Sequence, residues 1–122
     1  MTDFKSITAI NAEIDQLQEL RKQLETDLNH CRSKETQETI KKTVVKLKRA
    51  RNDLIKKYNC IVMDLEQIRS EDEEVYYFIY WHDIKGLTWY QTFNKVCPGL
   101  IYADPACYCK KRVYRYLEKR YK

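Results

Sequence analysis

The segment from Pro105 to Lys122 contains the residues whose types and spacing point most directly to chemistry. It has seven Lys or Arg against Glu118 alone. A helix turns about 100° per residue, so one arc of this segment would be polar and mostly cationic. Clustered positive charge binds phosphate groups, and arginine offers two parallel donors that match guanine O6 and N7. We therefore predict that six residues of this arc bind double-stranded DNA: Tyr108, Lys111, Arg112, Arg115, Lys119 and Lys122.

The opposite arc of the same segment is predicted to pack against the rest of the molecule. Its members are Ala106, Cys109, Val113, Tyr116 and Leu117. Asp104 followed by Pro105 supplies an N-cap and a proline at the first helical position, so the helix should begin there and continue to about Lys119. Simple solvation of a helix end is the alternative explanation of such a charge run, and the order of the preceding helices favours the binding role.

Two shorter helices are predicted before this one. Ser70 with Glu73 has the pattern of a capping box, and that helix should run to Ile84 and stop near Gly86. Its buried stripe would contain Val75, Phe78, Ile79 and His82.

A second capping box, Thr88 with Gln91, should start a short helix whose core residues are Trp89 and Phe93, and Pro98-Gly99 should end it. Helix, tight turn, short helix, longer turn and final helix is the order of a three-helix unit with a helix-turn-helix.

The N-terminal half has a different pattern, with apolar residues stepping by three and four from Ile7 to Cys31 and again from Ile40 to Ile68. The second series is two residues out of phase with the first, which predicts a turn between Arg32 and Thr39. Ser33 or Thr36 would cap the second helix.

Equal lengths around a short turn favour an antiparallel helical hairpin, similar to a coiled coil. Such a hairpin would bring Arg21 close to Arg51, where like charges repel unless another residue such as Glu25 or Asp53 meets them. Pairing of each apolar series with a second copy of the chain therefore stays open.

Two stretches resemble a known family: Gly86-Leu87-Thr88-Trp89 followed by Gln91, and Arg112-Val113-Tyr114-Arg115-Tyr116-Leu117. They are similar to the promoter-reading C-terminal domain of bacterial sigma factors, and especially to the small ArpU- and RinA-type late-gene regulators of phages and mobile elements. The resemblance covers residues 70–120. It implies a supporting helix over 88–96 and a recognition helix over 105–119. The turn between these two helices, residues 97–103, departs from the family, because it is longer than the three or four residues usual in this motif.

Other chemistries are less well supported by the sequence. Cys97, Cys107 and Cys109 with His82 could surround a zinc ion, but Cys107 and Cys109 are two residues apart on a helix and point in different directions. We therefore expect no metal and no cofactor. We expect His82 to be a packed, hydrogen-bonded residue. Carboxylate pairs, glycine-rich phosphate loops and Ser/His/Asp sets are missing at catalytic spacings, so we do not expect an enzyme.

The chain also lacks an apolar window of about 18 residues and an export signal at its start, and its five cysteines are an odd number. These features predict a cytoplasmic protein with free thiols and no membrane association.

Together these patterns predict an all-α protein with residues 1–69 as a helical hairpin or oligomerisation stalk and residues 70–122 as a helix-turn-helix domain. The expected function is sequence-specific DNA binding in transcription regulation by a dimer joined through its N-terminal helices. The alternatives are a helical adaptor that binds RNA polymerase or a repressor, and a DNA-recognition subunit of a phage packaging machine. The basic stretch 41–57 is either a second phosphate-contacting surface or a solvated flank.

Overall fold

The computed structural model describes residues 2–122, and none of these residues is in a β-strand. The all-α prediction is confirmed. Five α-helices span α1 Ser6–His30, α2 Lys34–Glu71, α3 Glu73–Ile79, α4 Trp89–Val96 and α5 Pro105–Arg120 within that range, and a π-helical turn at Tyr80–Ile84 continues α3.

Contacts within the chain define two compact units. We call residues 2–7 with 61–122 the C-terminal unit, and residues 8–60 the N-terminal unit. The predicted border between residues 69 and 70 falls inside α2, which is helical to Glu71.

The N-terminal unit contains most of α1 and the first part of α2, which are joined by residues 31–33. The Ser33 hydroxyl accepts a hydrogen bond from the Thr36 amide at 3.4 Å, and the Gln37 side chain donates to the Cys31 carbonyl at 2.8 Å. Ser33 is thus the cap, and the turn lies earlier than the predicted range of 32–39 and is shorter. The pairing of the two helices as a hairpin stays a prediction.

The core of the C-terminal unit comes from helices α3, α4 and α5, each of which contacts the other two. Its members are apolar side chains with little or no exposure: Val75, Phe78, Ile79, Phe93, Cys109, Val113 and Leu117. Phe4, Ile61, Leu65 and Ile68 are also buried in this unit. Burial of this apolar surface is the main stabilising contribution to the arrangement of the three helices.

The prediction that Ser70 caps the third helix is wrong. Ser70 lies in the last turn of α2, where its hydroxyl donates to the Gln67 carbonyl at 2.7 Å. Asp72 is the N-cap of α3, and its carboxylate accepts from the Val75 amide at 3.2 Å. A break at Asp72 leaves Ile68 in α2 and Val75 in α3 both fully buried. Tertiary packing therefore selects between two caps that are equally good locally.

The caps predicted for the last two helices are confirmed. Thr88 and Gln91 exchange both hydrogen bonds of a capping box at 3.1 Å. The Asp104 carboxylate accepts from the Cys107 amide at 3.0 Å, with Pro105 at the start of α5. Gly86 has a φ of 76°, which only glycine adopts at little cost, and the helical segment ends just before it at Ile84, as predicted.

His82 is packed and hydrogen-bonded, as the sequence predicts. Its ring stacks on Trp89 at a centroid distance of 3.5 Å, and its Nδ1 lies 2.7 Å from the Leu87 carbonyl oxygen. His82 is half-buried, unlike the fully buried residues of the same stripe.

Within residues 2–122, the five cysteines are free thiols. The helices of this range include none that combines the length and apolar character needed to cross a bilayer.

Candidate nucleic-acid interface

Helix α5 is amphipathic, and its buried face orients the rest of its side chains. Cys109, Val113 and Leu117 are buried against the core, and the Asp104 cap holds the first turn. Because these contacts fix the rotation of the helix about its axis, they decide which basic residues face other elements and which face solvent.

One flank of α5 faces acidic residues at the junction of α2 and α3. Four residues spaced four apart form this flank: Tyr108, Arg112, Tyr116 and Arg120. Each of them bonds to at least one carboxylate of the segment from residue 64 to residue 74. The flank therefore holds α5 against the preceding helices by charge-assisted hydrogen bonds.

Arg112 and Tyr108 form the first half of this flank. The Arg112 Nη2 lies 2.5 Å from Asp72 Oδ2, and its Nε lies 3.4 Å from Glu74 Oε1. The Tyr108 hydroxyl donates to Glu74 at 2.8 Å. Hydrogen bonding to Glu74, followed by burial, raises the pKa of Tyr108 well above its ordinary value. Both side chains already have anionic partners inside the molecule.

Arg120 belongs to the second half of this flank, and it was not singled out from the sequence. Its guanidinium donates to Asp64 Oδ1 from Nε at 3.0 Å and from Nη2 at 2.5 Å, and Nη2 also donates to Gln67 at 2.7 Å. Nη1 lies 3.2 Å from Glu71. A helical wheel could have indicated that Arg120 forms an ion pair. Arg120 lies about 20° from Cys109, inside the apolar arc, where a charge needs a counterion.

Asp64 is the centre of a polar cluster that ties together both ends of the described chain. Thr2 donates to it at 2.6 Å, and Tyr121 and Arg120 donate as well. Burial by itself raises the pKa of the Asp64 carboxyl, but these hydrogen bonds and the charge of Arg120 outweigh burial. The pKa lies below its ordinary value of 3.8 as a result. Asp64 is therefore ionised at neutral pH.

The outer flank of α5 and the residue after its C-cap Tyr121 form a row of basic residues that we call the cationic row: Lys111, Arg115 and Lys119 on the helix, and Lys122 just beyond it. All four side chains are exposed, and the ion pairs formed within residues 2–122 include none of them. Residues 61–122 contain ten basic and nine acidic side chains, so this unit has almost no net charge. The cationic row thus arises from the separation of charge rather than from an excess.

A solvent-open groove of about 390 Å³ runs along the cationic row. Its lining consists of Asp72, Tyr108, Lys111, Arg112, Arg115, Tyr116 and Lys119. Four basic side chains face one carboxylate, and Asp72 is already paired with Arg112. Such a surface can bind phosphate oxygens by charge and by N–H donors.

The six sequence-predicted contacts therefore occupy two places. Lys111, Arg115, Lys119 and Lys122 form the exposed row, whereas Tyr108 and Arg112 lie at its inner edge on carboxylates. Contact of any of the six with DNA stays a prediction. The connection between α4 and α5 adds a feature of a different kind, because Leu100 and Ile101 are exposed there and Ile101 is 96% exposed.

The cysteines and His82 do not assemble into a metal site. Among residues 2–122, no three His, Cys, Asp or Glu side chains are grouped so that they could hold a metal ion.

No protein-family model, curated protein or solved structure matches this chain.

Proposed function

We propose that this protein is a DNA-binding transcription regulator in which α4, the following turn and α5 act as a helix-turn-helix. Helix α5 is the recognition helix and enters the major groove. The observation that carries the proposal is the cationic row, which is exposed and has no ion pair within residues 2–122, beside one flank of the same helix that is bonded to carboxylates and another that is buried.

The cationic row is long enough to extend past several base pairs of duplex DNA, which are spaced about 3.4 Å apart. Lys111, Arg115 and Lys119 are spaced four residues apart, which at a rise of 1.5 Å per residue makes a row about 12 Å long. The major groove of B-DNA is about 12 Å wide and admits one α-helix. Arg115, at the centre of the row, is the residue we assign to a guanine, and the lysines are assigned to phosphates.

Tyr108 and Arg112 have a supporting role in this proposal. Their bonds to Asp72 and Glu74 fix the rotation of α5, and they neutralise two carboxylates that would otherwise repel a phosphate backbone next to the row. Tyr108 and Arg112 are therefore positioning residues at the edge of the cationic row, and they line the same protein groove.

The N-terminal helices are proposed to pair as a hairpin that joins two copies of the chain. A single C-terminal unit offers few phosphate contacts, and a linked second unit raises the effective concentration for the next binding event. Two recognition helices would then read half-sites about one helical turn apart.

The test is a salt titration of duplex binding by fluorescence anisotropy, with the full chain and a 20-base-pair duplex. A variant with Lys111→Gln, Arg115→Gln and Lys119→Gln should reduce the magnitude of the slope of log K against log salt by about 1.8, because each of the two lysines contacts a phosphate and each such contact contributes about 0.9. The matched control removes three exposed charges elsewhere, with Lys5→Gln, Arg32→Gln and Lys34→Gln. Equal slopes for both triple variants would remove α5 from the interface.

Recognition of a specific DNA sequence needs a separate test, since phosphate contacts alone carry no specificity. Selection from a random duplex pool should yield a consensus for the natural protein, and Arg115→Ala should relax it at one position at a cost of about 1 to 3 kcal/mol. An unchanged consensus would show that Arg115 contacts no base.

A second candidate function is an adaptor for a protein such as RNA polymerase, and the exposed Leu100 and Ile101 favour it. Adjacent exposed apolar residues can mark a surface that binds another protein. A double change of Leu100→Asp and Ile101→Asp should leave duplex affinity unchanged if DNA is the ligand of α5. An adaptor without a phosphate-binding face would not be retained on duplex DNA even at low salt.

A further inference from the structure

A second concentration of positive charge lies in the N-terminal unit, on α2. Residues 41–57 contain eight Lys or Arg and one acidic residue, Asp53. Seven of the eight are exposed: Lys41, Lys42, Lys46, Lys48, Arg49, Lys56 and Lys57. The eighth, Arg51, is half-buried at a position of the apolar series. We call the seven exposed residues the α2 basic face.

Five of these charges share one side of a long, regular helix, whereas Lys41 and Lys48 lie at its edge, within about 60° of the buried Val44. Lys42, Lys46, Arg49 and Lys56 lie opposite the buried Val44, since they are displaced from it by more than a quarter turn in the same direction. The face is about 24 Å long, because 16 steps of 1.5 Å separate its first and last residues. A shallow groove on it is lined by Lys41, Lys42, Val45, Lys46 and Arg49.

The charges of this face have few anionic neighbours. Within residues 2–122, Lys41 alone among the seven has an ion pair, at 3.8 Å from Glu38 and on the surface. Lys42 with Lys46, and Lys46 with Arg49, are neighbours of like charge on the helix. Such pairs destabilise a helix, whereas a merely solvated face usually mixes the two signs at these spacings. An external polyanion would relieve the repulsion.

The composition of the face distinguishes between classes of polyanion. Lysine is depleted in the cores of protein interfaces, and six of the seven residues of the face are lysines, the exception being Arg49. Membrane-surface helices need an apolar face that enters the bilayer, and Val45, at 48% exposure, is the one large apolar residue exposed between residues 41 and 57. An array of exposed lysines without apolar anchors fits a phosphodiester backbone best.

We propose that the α2 basic face is a second DNA-binding surface, which contacts the phosphate backbone of duplex DNA without reading bases. The proposal rests on the proposed function in its choice of ligand, but it concerns a different helix and a different unit of the chain. It adds affinity and salt dependence, whereas sequence preference comes from α5.

The experiment uses the full chain with Lys42→Gln, Lys46→Gln and Arg49→Gln, in the same anisotropy titration from 50 to 200 mM salt. This α2 triple variant should bind a duplex of random sequence at least tenfold more weakly at 100 mM salt. Its log–log slope should fall by about 2.7, while the consensus from the selection stays the same. The control variant, with Lys5→Gln, Arg32→Gln and Lys34→Gln, should lose much less. Circular dichroism verifies that every variant keeps its helix content.

The outcomes separate this proposal from the function proposed for α5. If the α2 triple variant behaves like the control while the Lys111, Arg115 and Lys119 triple variant loses affinity, the α2 surface is refuted and the function proposed for α5 stands. If instead the α2 triple variant loses affinity while the Lys111, Arg115 and Lys119 triple variant behaves like the control, α5 is refuted as the recognition helix and the α2 surface is supported.

Two further ligands test the choice of duplex DNA. Polyglutamate and vesicles with 30% phosphatidylserine are measured under the same conditions. Binding of either at a salt concentration where the duplex is not bound, with loss in the α2 triple variant, would overturn DNA as the ligand. Weak binding of both, with strong duplex binding, supports it.

Discussion

Replacing Arg120 by Ala is the strongest test of how the C-terminal unit is held together. The change leaves the ionised Asp64 without its cation, and it removes hydrogen bonds to Gln67 and Glu71 as well. Asp64 keeps its bonds from Thr2 and Tyr121, which lie at the two ends of the described chain.

The magnitude follows from the burial of the pair. The Arg120 and Asp64 side chains are 14% and 15% exposed, so the pair is mostly shielded from water. Removing one partner of a fully buried pair costs about 3 to 5 kcal/mol. Because water still reaches the edge of this pair and Asp64 retains two donors, we expect the lower end, about 3 kcal/mol. For a domain of this size that loss corresponds to a fall of about 12 to 24 °C in Tm.

Thermal and urea unfolding, followed by tryptophan fluorescence, measure this loss directly. Both tryptophans, Trp81 and Trp89, lie in the C-terminal unit and report on it. Arg115→Ala is the matched control, since Arg115 is exposed on the same helix without an ion pair and should stay within about 0.5 kcal/mol.

A double-mutant cycle with Asp64→Ala isolates the interaction from other effects of the substitutions. A loss below about 0.5 kcal/mol for Arg120→Ala, together with no coupling in the cycle, would refute the conclusion that this ion pair stabilises the fold.

Four further predictions concern titration and helix ends. Because the pKa of Asp64 is lowered on folding, its contribution to stability is present above an unfolded-state pKa of about 3.9 and is lost as pH falls through the lowered value. Urea unfolding between pH 2 and 6 should show this loss, and Asp64→Asn should flatten it; a curve unchanged by the substitution would contradict the assignment. Burial and the bond to Glu71 raise the pKa of Tyr116 to about 12. Absorbance titration at 295 nm should therefore lose one late-ionising tyrosine in Tyr116→Phe, and loss of an ordinary one instead would be inconsistent with that bond. Thr88→Ala should cost about 1 kcal/mol through the lost cap. Gly86→Ala should cost about 1 to 2 kcal/mol through its φ of 76° alone, since a Cβ there has no neighbour within 4 Å; neutral effects in chemical unfolding would oppose both.

Helix ends were predictable from the sequence wherever the cap acts over three or four residues. Thr88 with Gln91, and Asp104 with Pro105, begin α4 and α5 as expected, because the side chain and the amide that it caps are close in the chain. The same rule predicted Ser70 as the cap of α3, and that prediction was wrong. Asp72 offered an equivalent cap two residues later, and the burial of Ile68 and Val75 selected it.

Which basic residues of α5 form ion pairs and which stay exposed was only partly predictable. A helical wheel separates a buried arc from a cationic arc, and Cys109, Val113 and Leu117 are buried as expected. It does not show that Arg112 meets Asp72, 40 residues earlier in the chain. Nor does it show that Arg120 reaches Asp64 across 56 residues.

The sequence by itself determined that the chain is helical, where α4 and α5 begin and that α5 has an apolar and a basic side, since periodicity and capping depend on neighbours within a few residues. Only the tertiary structure decided which basic side chains are paired within the molecule and which are left for a ligand. Coulomb interactions and burial depend on distance in space, and the carboxylates that bond to Arg112 and Arg120 come from α2 and from the start of α3.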